Sequence, residues 1–406
     1  MPLSRSLSNH FTQNGLMINQ DEIISKLLER KFRISHSYST KNSYHAGIKK
    51  FVEFLRVQYN FDLKQLFHKI LNTKEIDPLE VLDEFYTFLS NYKTRNSRGY
   101  GSEAINQYVR ISKDLLNSQG CKIYSEDLKL KFRLPKKTQS YQKGLSREVI
   151  NRVIRFANPK LATIILMACS SGMRIGEIIQ LRHCDVEFGN PTIVKIRAET
   201  AKTRETRLTH ISAEATNSLK DYLAKSEHPK QNDDYLFLLQ HKDRIKNAQN
   251  RGDRRTQQLR EQIVTLSEEE RFAKSVTATK HNLEQQLGRC IKKIPELNSK
   301  NENGRNVIHF HAFRSWFKTQ VTDAHQSDFA EALMGHKSLK LLYYRQNDDV
   351  RAKTYRDIEY SVTISDSTIM NKNYSEVQKD NSELRGMVEI LSKQLRELER
   401  KIEIQI

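Results

Sequence analysis

The sequence predicts a mainly α-helical protein with one small β-sheet: a helical N-terminal domain, an α+β second domain and a C-terminal coiled-coil helix. Three observations carry that prediction. Apolar residues recur at steps of three and four through most of the chain. One pair of segments, Pro191–Ile196 and Thr206–Ser212, alternates with the two-residue period of a hairpin. After Ile364 the pattern changes to a seven-residue repeat.

At 406 residues the chain suits two or three domains, each long enough for a core. The longest apolar run, around Ile164–Ala168, falls far short of the ~18–20 residues of a membrane span. Residues 1–20 lack an apolar core of signal-peptide length, so we expect an intracellular protein with no membrane partner. Cys121, Cys169, Cys184 and Cys290 lie far apart without C-x-x-C spacing, which suggests neither a disulfide framework nor a zinc knuckle but reduced core residues. Charge is the strongest global signal. With 68 Lys and Arg against 49 Asp and Glu, the formal net charge of +19 implies a polyanionic partner, and nucleic acid fits best.

In chain order, residues 1–20 read as a polar lead-in and 21–132 as a small helical domain. A helix from about Ser39 puts Tyr44, Ile48, Phe51, Val52 and Leu55 on one face and spreads Lys41, Lys49, Lys50 and Arg56 around the rest. Asp77-Pro78 starts another helix, the Asp capping and the Pro in the first turn, with Val81, Leu82, Phe85, Phe88 and Leu89 inward. A third runs from Ser102 with Ile105, Val109, Leu115 and Leu116 inward. Before it, Lys93, Arg95 and Arg98 form a basic loop suited to phosphates, and Lys49 and Lys50 add to a DNA-binding face. Residues 133–144, with Lys136 and Lys137, read as a basic linker that tracks a nucleic-acid backbone.

The second domain is expected over 145–365. It opens on a helix capped by Ser146 and another at Asn158-Pro159, which ends at Gly172. Arg174 then sits in the first turn of a new helix, where helix-start amides and a guanidinium make an anion site, and Glu177 one turn on can hold it. Lys202 rides the tip of the hairpin. Residues 240–278 read as a charged insertion, with a helix resuming near Thr279. Val307–Arg345 then packs together the richest chemistry. His311 and Arg314 share one helical face, while Phe310, Phe313 and Phe317 fasten that helix to a core. Gly335 ends the next helix, His336 follows it, and Tyr343-Tyr344 come soon after.

In the tail, Val377, Leu384, Leu391 and Leu398 form one seam of a heptad and Tyr374, Asn381, Val388, Leu395 and Ile402 the other. That pattern favours a parallel dimer through 374–405, the other reading being an amphipathic helix folded back on its own domain.

Arg174 with Glu177, Lys202 in a hairpin, His311-x-x-Arg314, Gly335-His336 and then Tyr344 together resemble the catalytic signature of the tyrosine recombinase (phage integrase) family, and in detail are most similar to archaeal integrases. The resemblance covers about 145–365, and residues 21–132 resemble the family's core-binding domain. It implies a clamp around double-stranded DNA, a tetramer on paired sites, and strand breakage and rejoining. Tyr344 would be the nucleophile forming a 3′-phosphotyrosyl bond, and Arg174 and Arg314 would clamp the phosphate. Lys202 would be the general acid, His311 an acid/base and His336 a phosphate-contacting or orienting group. No cofactor or metal is implied. The sequence departs from many members in one respect: Tyr344 lies eight residues after His336 instead of nine, and Tyr343, seven after it, is the alternative nucleophile. Tyr355 and Tyr360 are more distant candidates. The same chemistry serves type IB topoisomerases and transposition, and the same scaffold could also serve a non-cleaving architectural protein.

Overall fold

A computed structural model describes residues 20–93, 99–124, 126–128, 144–225, 231–238, 266–298, 306–336 and 347–365, with Leu384 and Met387. They fall in two compact units, residues 1–140 and 141–406.

The first unit holds helices α1 (Gln20–Ser35), α2 (Tyr38–Gln58), α3 (Leu63–Leu71), α4 (Pro78–Asn91) and α5 (Ser102–Ser118). The capping follows the sequence. Ser37 accepts from the Thr40 amide, Asp77 from Leu79, and Asp62 with Gln65 forms a reciprocal capping box. The expected stripes are buried, with Phe51, Leu55, Leu82, Phe85, Leu89 and Leu115 in one core. Gly47 lets α2 approach α5, since a Cβ there would stand 2.8 Å from Ile111 Cδ1. Helices α1 and α3 were not expected from the pattern. Nine-residue α3 is too short to show a full stripe, although its start is fully signalled by Asp62 and Gln65.

The second unit is built around α7 (Pro159–Ser171), capped by Asn158 and preceded by α6 (Arg147–Arg155). From Leu161 onward nearly every residue of α7 is buried, and the hydroxyls of Thr163, Ser170 and Ser171 bond carbonyls one turn back. The short α8 (Ile175–Ile178) follows. A three-stranded antiparallel sheet comes next: β1 (Val186–Glu187), β2 (Thr192–Ile196) and β3 (Arg207–Ile211), in register with Thr192 opposite Ile211 and Ile196 opposite Arg207. The expected hairpin is therefore present, each strand a residue or two shorter than its alternating pattern. Then come α9 (Ala213–Ala224), α10 (Glu268–Lys292), α11 (Phe310–Asp323), α12 (Ser327–Met334) and α13 (Asp348–Val362). No described helix is long and apolar enough to cross a membrane.

Two expectations are corrected here. The helix expected to resume near Thr279 is α10, which begins at Glu268, eleven residues earlier. Ser267 and Glu270 form a capping box and Glu268–Glu270 complement the helix dipole, but Ser275 is the one buried residue before Leu283, so no apolar stripe announces that turn. Cys121, Cys169 and Cys290 are buried free thiols, whereas Cys184 is exposed. It lies in a 3-10 turn, His183–Asp185, whose buried member is Asp185, held by the Arg182 amide and by Arg197. The linker at 133–143, the insertion at 240–265 and, apart from Leu384 and Met387, the tail from 366 lie outside the described residues.

Candidate active site

The site begins where α7 stops. Gly172 takes the left-handed conformation (φ 63°), and the chain turns into Arg174, which caps α8. The Arg174 amide donates to Glu177 Oε2 at 2.8 Å and its guanidinium to Oε1 at 3.0 Å. Glu177 therefore occupies the Arg174 amide as well as its guanidinium. Glu177 itself is only 2% exposed. A second arginine, Arg207 at the start of β3, grips the same carboxylate with a fork of 3.2 and 2.7 Å. Burial alone would push the Glu177 carboxyl up, but the hydrogen bonds and charges of Arg207, then Arg174, outweigh it and hold the group below its ordinary range.

Helix α11 supplies the second wall. Phe310, Phe313 and Phe317 bury its inner face, as the spacing predicts. Arg314, on the same helix, is 1% exposed. Its guanidinium donates to the carbonyl of Gly172, to that of Met334 at 3.0 Å and to His336 Nε2 at 2.9 Å. No carboxylate pairs with it among the described residues. Burial, then the charge of Arg174, lowers its pKa to about 10. His311, exposed at the start of the helix, has its pKa lowered by burial of the ring first and then by Arg314, His309 and Arg174. Arg174 thus bears electrostatically on both Arg314 and His311.

The third wall is the end of α12. Gly335, at φ 66°, closes the helix and presents His336. A guanidinium can only donate, so His336 Nε2 accepts from Arg314 and the ring proton sits on Nδ1, 2.5 Å from Glu331 Oε2. Glu331 also pairs with Lys318. Burial opposes the Glu331 charge, but Lys318 and His336 prevail and lower its pKa.

No other expected residue is bonded to this cluster among the described residues. Lys202 is exposed on the 197–206 connection and makes no hydrogen bond or ion pair with the cluster among the described residues. In the first unit Lys49 and Lys93 are exposed. Lys50 is half-buried, its ammonium 2.6 Å from Glu53 and 4.0 Å from the Tyr92 ring centroid. Burial works against that charge, but the bonds to Glu53 and Tyr92 outweigh it and raise the pKa. Tyr355 is fully buried and donates to the Ser170 carbonyl at 2.7 Å, so it is a structural residue, while Tyr360 is exposed. Arg95, Arg98, Lys136, Lys137, Tyr343 and Tyr344 lie outside the described residues. Nothing in the sequence pattern marks Arg207 or Glu331, because a strand-edge arginine and a helical glutamate are each ordinary until their distant partners are known.

The family model described as the phage integrase family matches residues 143–350, more than half of the chain and all of this cluster. The chain belongs to the phage integrase family. Tyrosine recombinase XerA of Thermococcus onnurineus is 27% identical over 128 residues, or 31% of this chain; the match spans 43% of that relative's length. The crystal structure of lambda integrase residues 75–356, a dimer bound to a COC' core site, shares the fold. It is 13% identical, with a TM-score of 0.50 over 81% of this chain and 98% of that one. The XerH site-specific recombinase, crystallised on a palindromic difH substrate, gives a TM-score of 0.49 at 18% identity, over 84% of this chain and 82% of that one.

Proposed function

We propose that this phage integrase family member is a site-specific DNA recombinase that cuts and rejoins DNA through a 3′-phosphotyrosyl intermediate. One observation carries the reading: Arg314 is a buried guanidinium bonded only to carbonyls and an imidazole, beside Arg174, His311 and His336. A cation desolvated without a carboxylate partner is a site for an anion brought by a ligand. A phosphodiester fits, since two guanidiniums can hold its non-bridging oxygens and stabilise the charge that grows there in the transition state.

The Tyr344 oxygen attacks phosphorus, the bond to the 5′-oxygen breaks, and that oxygen takes a proton delivered by Lys202 from its exposed hairpin. His311, biased toward its neutral form, takes the phenolic proton. Rejoining reverses these steps with a new 5′-hydroxyl. His336 orients Arg314 toward the phosphate, and Glu177 orients Arg174. Lys49, Lys93, Arg95, Arg98, Lys136 and Lys137 contact the duplex backbone inside the cell. Subunits assemble as a tetramer on paired sites, with 374–405 pairing as a coiled coil.

The test is Tyr344→Phe and Tyr343→Phe, each incubated with a library of nicked duplexes of randomised sequence and scored for a detergent-resistant protein–DNA adduct. Loss of the adduct in Tyr344→Phe alone is expected. Loss in Tyr343→Phe alone moves the nucleophile. No adduct from the unmodified protein, with DNA still bound, leaves an architectural DNA-binding protein.

A further inference from the structure

We propose, resting on the strand-exchange reading above, that Arg207 is a positioning residue: a guanidinium that need not touch DNA yet sets the spacing between Arg174 on one wall of the phosphate cleft and the Arg314–His336 pair on the other. It is bonded to both walls at once. Its two terminal nitrogens hold Glu177, which holds Arg174, and its Nε donates to the Leu333 carbonyl at 2.9 Å. Leu333 O is one of the last carbonyls of α12, which the helix itself cannot satisfy. The next carbonyl, that of Met334, belongs to Arg314. Two guanidiniums from different elements therefore hold consecutive peptide units of a single helix end, and His336 hangs from the turn that follows.

Gly335 completes the fit. A Cβ on it would meet Arg207 Cδ at 2.8 Å and Cζ at 3.1 Å, so the turn lies directly on the arginine side chain. This use of both edges of a planar fork is beyond a lysine, which has one point of charge. Charge matters as well as shape. Glu177 shared by two guanidiniums leaves a net positive cluster. Without Arg207 the carboxylate has Arg174 alone, draws it inward and cancels the charge meant for the phosphate.

Arg207→Ala and Arg207→Lys, in the full chain, test this on the same nicked duplex library. Folding is checked by the fluorescence of Trp316, the chain's single tryptophan, buried in α11. Both variants should bind duplex within about threefold of the unmodified protein, because backbone contacts elsewhere supply affinity. Both should form the adduct about 100-fold more slowly, the effect of misplacing a reacting group by about 1 Å. A purely structural role would lower binding and cleavage together and would be largely restored by lysine. Should Arg207→Ala unfold, Arg207→Lys carries the test. A folded variant forming adduct within about threefold of the unmodified rate overturns the proposal and leaves the recombinase reading standing. No adduct from the unmodified protein overturns both.

Discussion

Gly172→Ala should destabilise the second unit by about 2–5 kcal/mol, a sum of two contributions. The first is conformational: Gly172 sits at φ 63°, where an L-residue costs about 1–2 kcal/mol. The second is steric. A Cβ there would stand 2.5 Å from Phe317 Cδ1 and 2.8 Å from Met334 Cγ, and both side chains are buried at 0% and 3% exposure, so neither can swing into solvent. Overpacking of that kind costs about 1–3 kcal/mol. Gly176→Ala is the control, since nothing lies within 4 Å of its missing Cβ and alanine favours helix there by up to about 1 kcal/mol. Denaturant unfolding followed by Trp316 fluorescence reads the difference. The Gly172 carbonyl also receives Arg314, so the same substitution should displace that guanidinium. Midpoints for the two variants equivalent to within about 0.5 kcal/mol would refute the argument, because they would show that the turn can open without disturbing α11.

Two further outcomes follow from the buried polar groups of this unit. His210 is 3% exposed, and neither ring nitrogen has a hydrogen-bond partner among the described residues. Burial, then Arg351 and against Asp348, lowers its pKa from 6.5 to about 4. Between those values the unfolded chain binds the proton and the folded one does not, so stability rises with pH; on acidification from pH 7 to 5 the loss from this group is about 2 kcal/mol. His210→Phe should remove that part of the slope in urea titrations at the two pH values, and an unchanged slope contradicts it. Tyr355→Phe should cost about 1–3 kcal/mol by leaving the Ser170 carbonyl at the end of α7 unsatisfied. Its adduct yield under stabilising conditions should match that of the unmodified protein, and loss of the adduct in a folded sample would restore Tyr355 as a nucleophile.

Much of the fold was legible because its signals are local. Asp77-Pro78, Ser146 and Asn158-Pro159 mark helix starts within a few residues, and Gly172 and Gly335 mark ends through a conformation that other residues resist. Phe310, Phe313, Arg314 and Phe317 show their faces by spacing alone. What was not legible depends on distance along the chain. Arg207 works through a glutamate thirty residues before it and a carbonyl far beyond it, and main-chain carbonyls carry no sequence signature. The partners of Lys50 were hidden in part for a related reason: Glu53 was visible on the same helix, but the Tyr92 ring beside the ammonium comes from α4's end. The start of α10 was hidden by the lack of an apolar stripe, although its caps were in plain view.

Helix α13 is moored at both ends and along its length. Arg351 reaches the Leu208 carbonyl, Tyr355 that of Ser170, Arg356 that of Asn190, and Glu359 accepts the Ala213 amide. Ten residues, 337–346, join this mooring to His336, itself pinned by Glu331 and Arg314. Leu208 adjoins Arg207 and Ser170 lies two residues before Gly172, so loosening α13 would slacken at once the strand and the helix end on which the clustered arginines depend.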